Sequence, residues 1–140
     1  MKRKDFLKIN SFWILPFFIT KKDVERILEE IKKEVCEDLE IDLSFDDDLS
    51  IEELNKKFLN LKSPTNVLSF PEEKGSGSIM ISLETVFRES FLYNQPLEEH
   101  LIRILIHGIL HILNIDHSPY MFELTEKLVE KSKTILYRSY

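Results

Sequence analysis

Three histidines in the eleven-residue run HGILHILNIDH, His107, His111 and His117, are the residues in this chain best suited to chemistry. On a helix, side chains four positions apart stand one above the other on the same face. The helical rise separates His107 from His111 by roughly 6 Å along the axis, a gap that two imidazoles leaning together close onto one ion. The third histidine follows six residues later, past the point where the helix should end. Three protein ligands with a fourth position left to water make a catalytic zinc site, and imidazole is a common zinc ligand. Imidazoles turned into an apolar core with nothing to satisfy them would cost on the order of several kcal/mol. The spacing therefore predicts one Zn2+ ion on His107, His111 and His117, and hydrolysis as the reaction.

The neighbours of these residues refine that expectation. His100 lies almost on the stripe of His107 but about 10 Å along the axis, too far to share the ion. Its polar flanks Glu98 and Glu99 place it at the surface or the core edge. Asp116 is a candidate to orient a ligand imidazole through its second N–H, or alternatively to cap the turn. In H-E-x-x-H peptidases the residue after the first histidine is the glutamate general base. Here it is Gly108, so peptide hydrolysis would need a base from elsewhere, such as Glu72, Glu73 or Glu123. Zinc supplies a nucleophile by lowering the pKa of water, which suits phosphodiester hydrolysis better.

The elements that must position the histidines can be placed by their ends. Thr20 and Asp23 form a capping box with Ile19 and Val24 as its staple, opening a helix over 21–37 whose stripe is Val24, Ile27, Leu28, Ile31 and Val35. LEIDLSFD alternates as a strand with one buried face. Ser50 and Glu53 repeat the capping box and open a second helix, which Pro64 stops. TNVLSF is a strand, and strand, helix, strand implies a parallel crossover. PEEKGSG then turns the chain into an antiparallel partner, GSIMISL, so the sheet is mixed. Val86, Phe87, Ser90 and Phe91 share one face of a helix over 84–93, and Pro96 opens the next. From Leu101 to Leu113 that helix is apolar nearly all round, which predicts burial on most sides. Asn114 suits a left-handed cap that turns the chain back toward the third histidine. Ser118 and Pro119 begin a last helix running to 137. The prediction is a single α+β domain over residues 1–140: a small mixed sheet packed against helices, with the zinc site on a central buried helix and the turn that follows it.

Composition limits the alternatives. At 140 residues and 43% hydrophobic the chain can bury a core without staples. The single cysteine, Cys36, cannot form an internal disulfide and suits a reducing cytoplasm. The apolar run Phe12 to Ile19 carries Pro16 and lacks a cleavage site before Lys21 and Lys22, so it is read as an edge strand or loop. It is too short to span a bilayer, and no membrane association is expected. A formal charge of −6 excludes coating of nucleic acid by overall positive potential. Lys56, Lys57, Lys62 and Lys74 leave room for a small phosphate-facing patch or an ordinary solvated surface.

These motifs together resemble a known family. HGILHILNIDH matches the H-G-x-L-H-L-x-G-x-D-H signature of the YbeY family of zinc-dependent endoribonucleases, which act in ribosomal RNA maturation. LNKKFLNLKSPTNVLSFP resembles its L-N-x-x-[YF]-R-x-x-D-x-P-T-D-V-L-S-F-P stretch, and GSIMIS its G-D-I-x-I-S strand. The resemblance covers roughly residues 40–135. It implies one zinc on His107, His111 and His117, a single-stranded RNA substrate in a groove beside the metal, and ribosomal particles as partners in rRNA maturation and ribosome quality control. Leu59 stands where the family has arginine, Asn66 and Ser78 where it has aspartates, and Asn114 where it has glycine. An arginine to aspartate cluster lost as a unit would explain the first three, if those positions lie together. The alternatives are a ribosome-assembly factor with structural zinc and little nuclease activity, and a metal-dependent hydrolase of another substrate such as a peptide.

Overall fold

The computed structural model describes residues 7–11, 19–35, 38–59, 66–73, 75–115 and 118–137. Cys36, Lys62, Lys74, Asp116 and His117, and the run 12–18, lie outside the described residues.

Helix α1 (Lys21–Glu34) starts at the expected capping box. The Thr20 hydroxyl accepts from the Asp23 N–H and the Asp23 carboxylate accepts from the Thr20 N–H, each at 3.1 Å. Its stripe Val24, Ile27, Leu28 and Ile31 is buried. Strand β2 (Glu40–Asp46) buries alternate residues, with Ile41, Leu43 and Phe45 inward. It pairs in parallel with β1 (Leu7–Ser11), the α1 crossover supplying the return.

Helix α2 (Asp48–Leu54) departs from the expected capping box. Its N-cap is Asp47, whose carboxylate accepts from the Ser50 N–H at 2.8 Å, so Ser50 lies inside the first turn. Aspartate is as good a cap as serine, and the candidate three residues earlier took the role. The helix widens into a π-helical turn over Asn55–Leu59. The expected parallel crossover from β2 into β3 (Val67–Pro71) is also corrected. The sheet order is β1-β2-β4-β3, with β4 (Ser76–Ser82) parallel to β2 and β3 antiparallel to β4. The tight turn after β3 makes it the hairpin partner of β4, and β4 takes the interior place that completes the parallel crossover. The sheet is mixed, as expected, and β3 is an edge.

Helix α4 (Leu97–Ile112) touches β3, β4, α3 (Leu83–Leu92) and α5 (Pro119–Tyr137), and every residue from Ile104 to Leu110 except His107 is buried. This α+β architecture places the histidine helix at its centre. On α3 the buried residues are Thr85, Val86 and Ser90, whereas Phe87 and Phe91 face outward, their rings edge to face at 5.9 Å. Expecting all four on one face was wrong, because a neighbouring position is rotated by 100° and only one of the two pairs can face the sheet.

Asp48 ties α2 to α3. Its carboxylate accepts from the hydroxyls of Ser82 and Thr85 and from Arg88 at 2.7 Å. Burial opposes ionisation here, but those three hydrogen bonds outweigh it and hold the carboxyl below its ordinary 3.8. A depressed pKa contributes stability that is complete above the ordinary value and is lost as pH falls through the folded one. Denaturant titrations of wild type and Asp48→Asn should therefore diverge: the wild type loses stability below about pH 4, while the variant, weaker at neutral pH, has a flatter acid limb. Parallel acid limbs would remove Asp48 from the account.

Candidate metal centre

His107 and His111 occupy successive turns of α4 on the one face that is only half buried. Their rings stand edge to face at 81° with centroids 4.6 Å apart, and the two Nε2 atoms approach to 3.0 Å. Two nitrogens sharing a tetrahedral zinc with Zn–N bonds of about 2.0–2.1 Å lie roughly 3.3 Å apart. The pair therefore fits a shared ion with a small outward adjustment, and without one a single imidazole N–H can bridge them. The third expected ligand, His117, and its neighbour Asp116 are outside the described residues, and no set of three metal-binding side chains occurs among those described.

The chain leaves α4 in a fixed direction. Asn114 has φ 59°, its N–H reaches the His111 carbonyl, and the Ile115 N–H reaches that of Leu110, each at 3.0 Å. This double bond pattern around a left-handed residue is a Schellman motif, and Ile115 packs against the core as its apolar partner. Asparagine tolerates that conformation, so the turn needs no glycine here. Asn94, at φ 53°, ends α3 in the same way with the Gln95 N–H on the Ser90 carbonyl.

A groove of about 440 Å3 runs past the two imidazoles and is otherwise lined by Asn66 and by β3 from Val67 to Pro71. The Ser82 N–H bonds the Asn66 carbonyl and the Glu72 N–H bonds the Ser76 carbonyl, so the even-numbered residues face β4. The backbone groups of Val67 and Ser69 consequently point to the outer edge. Pro71 falls in the same phase, where its missing N–H breaks no rung of the ladder. The Ser69 hydroxyl donates to the Gly108 carbonyl at 3.0 Å and fastens the strand to the histidine helix. A Cβ at Gly108 would meet Val67 Cγ2, Ser69 Oγ and Ile79 Cγ2 at 3.1–3.3 Å, so position 108 faces the sheet. Its glycine serves the close helix approach.

The structure buries His100 more deeply than the surface or core-edge position expected: it is only 5% exposed, and its Nε2 lies 2.9 Å from Glu89 Oε1. The polar flanks misled, because residues i±1 on a helix point about 100° away from residue i. Asn66 donates to the same Glu89 oxygen at 3.0 Å. Ser78 lies opposite Phe70, four residues along β3 from Asn66 and so about 13 Å away. Asn66 and Ser78 therefore belong to no common charge cluster. Lys56 and Lys57 are exposed beyond α2.

Comparison with known proteins agrees with this architecture. A family model described as Endoribonuclease YbeY matches residues 15–139. The endoribonuclease YbeY of Wolbachia sp. subsp. Drosophila simulans is 44% identical over 91 residues, spanning 61% of this chain and 60% of that protein. That of Persephonella marina is 34% identical over 136 residues, spanning 86% and 89%. A solution structure of a Thermotoga maritima protein superposes with a TM-score of 0.68 at 28% identity, covering 95% of this chain and 92% of the other. With a family model matched over residues 15–139 and a relative 34% identical across 86% of the chain, the chain belongs to the YbeY endoribonuclease family.

Proposed function

We propose that this chain is a zinc-dependent, single-strand-specific endoribonuclease that hydrolyses RNA phosphodiester bonds in rRNA maturation and ribosome quality control. The observation that carries the reading is the convergence of His107 and His111 at 3.0 Å beside a groove bounded by an edge strand. The name shared by its relatives supports the reaction class. His107, His111 and His117 would hold one Zn2+, which when bound supplies Lewis acidity and lowers the pKa of water toward 7. The protein's own residues bind and orient. The cap at Asn114 turns the chain at the end of α4, and on this reading Asp116 would orient a ligand imidazole. Ser69 holds β3 against α4, and the outward N–H groups of Val67 and Ser69 are donors suited to phosphate or sugar oxygens. The partners on this reading are rRNA and ribosomal particles in the cytoplasm. No helix among the described residues is long and apolar enough to cross a membrane.

The test is metal analysis of the purified protein with cleavage of a single-stranded RNA before chelation, after it, and after zinc is restored. About one zinc per chain, and cleavage that disappears and returns with it, are expected; cleavage indifferent to chelation would refute the reading. Leu59 at the family's arginine position favours a second reading, an assembly factor with structural zinc, because a guanidinium is the usual stabiliser of charge on a phosphate. A wild type that binds ribosomal particles yet leaves RNA intact at stoichiometric concentration would select it. Peptide hydrolysis is disfavoured by position 108, which faces the sheet and has no room for a carboxylate base.

A further inference from the structure

Asn66, Glu89 and His100 come from the residue before β3, from α3 and from α4, and they meet at Glu89 Oε1. Glu89 Oε1 receives the Asn66 Nδ2 at 3.0 Å and lies 2.9 Å from His100 Nε2. The His100 side chain is 7% exposed and that of Glu89 20%. The Tyr93 ring stands edge-on to the imidazole at 5.9 Å. His100 Nδ1 has no hydrogen-bond partner among the described residues. With the proton on Nε2, donated to Glu89, the orphaned atom is a lone pair rather than an N–H, the less costly group to strand. The other end of this chain of contacts is Asn66, which lines the same groove as His107 and His111.

A carboxylate oxygen only accepts, so it binds the NH2 end of the Asn66 amide and repels the carbonyl end. Glu89, held from behind by His100, thereby sets the amide's flip. That bond uses one N–H and leaves Oδ1 and the second N–H, a neutral acceptor and donor side by side, on a residue that lines the groove. A phosphate oxygen has no proton, so it could take only the N–H and would leave Oδ1 unpaired. A ribose 2′-hydroxyl both donates and accepts, and it is the group by which a protein distinguishes RNA from DNA. We propose that the His100–Glu89 pair positions Asn66 to hydrogen-bond a ribose 2′-hydroxyl of a single strand in the groove, making Asn66 a determinant of RNA over DNA. The proposal rests on the RNA reading above and adds a residue outside the metal site to it.

The experiment is fluorescence anisotropy with a fluorescein-labelled single-stranded oligouridine and its 2′-deoxy counterpart, titrated with the full-length chain while gels verify an intact probe. The wild type binds the ribose form more tightly. Asn66→Ala and Glu89→Ala each reduce that preference about fivefold, the scale of one lost hydrogen bond, by weakening RNA while leaving DNA unchanged. His100→Leu acts in the same direction. The double variant Asn66→Ala/Glu89→Ala goes no further than either single one, because both remove one contact. Glu89→Gln keeps an oxygen that can accept both donors and retains the preference. Zinc content stays at the wild-type level throughout, which separates positioning from general damage. Equal loss of RNA and DNA binding, effects that multiply in the double variant, or an unchanged preference in Asn66→Ala overturns the proposal while leaving the endoribonuclease reading in place. A wild type that binds neither strand overturns both.

Discussion

Alanine at His111 is expected to abolish zinc binding and RNA cleavage together while leaving the fold intact. The fold survives because the side chain is only half buried and faces the groove, and alanine is the best helix former. The Schellman turn at Asn114 depends on the backbone carbonyl of residue 111, which the substitution retains. Metal binding does not survive, since removing one of two nitrogens 3.0 Å apart leaves no convergent pair on α4. Zinc content should fall from about one ion per chain to background, and cleavage by about 10³-fold or more, the scale of several kcal/mol of lost transition-state stabilisation. His107→Ala should behave alike. Circular dichroism, zinc analysis and a cleavage assay on one preparation make the check. Undiminished cleavage in a carefully purified, zinc-free variant would sink the assignment and point to a contaminating nuclease.

The histidine helix was legible because its signals are local and agree with one another. Apolar residues on nearly every side announced a buried α4, i and i+4 spacing announced the paired imidazoles, and Asn114 announced the turn. The caps of α1 and α5 were legible for the same reason: the Ser118 hydroxyl does accept the Met121 N–H at 3.2 Å. What escaped was set by tertiary pairing. Nothing within TNVLSF says which strand it will join, and the order β1-β2-β4-β3 emerges only when β3 folds back on β4. The same blindness hid Glu89. It is a polar residue on a helix with exposed aromatics, and it acquires its role only where α3 meets Asn66 and His100 across 23 and 11 residues of sequence.

Valine at Gly77 should be the most damaging single change to stability outside the apolar core. A Cβ there would come within 2.5 Å of Ile112 Cδ1, 2.7 Å of the Phe70 carbonyl oxygen and 3.2 Å of Pro71 Cα. The isoleucine methyl can swing aside, but the Phe70 carbonyl is backbone, and Phe70 is hydrogen-bond paired in phase with Ser78 on the β3 to β4 ladder. Two further methyls on a strand wedged against the last turn of α4 leave no rotamer that avoids both. Overpacking of this kind costs about 3 kcal/mol, which for a domain of this size lowers Tm by about 10 °C. Gly77→Ala, with a single methyl, should lose about half as much by the same mechanism. Function should follow in a particular way, because Phe70 and Pro71 line the groove while His107 and His111 sit on α4. Below its melting temperature the variant should retain zinc and bind single-stranded RNA more weakly, as β3 is pushed away from the histidines. Melting alongside the wild type would mean that β3 and α4 do not approach as closely as Gly77 implies, and the groove, whose wall is that same strand, would have to be redrawn.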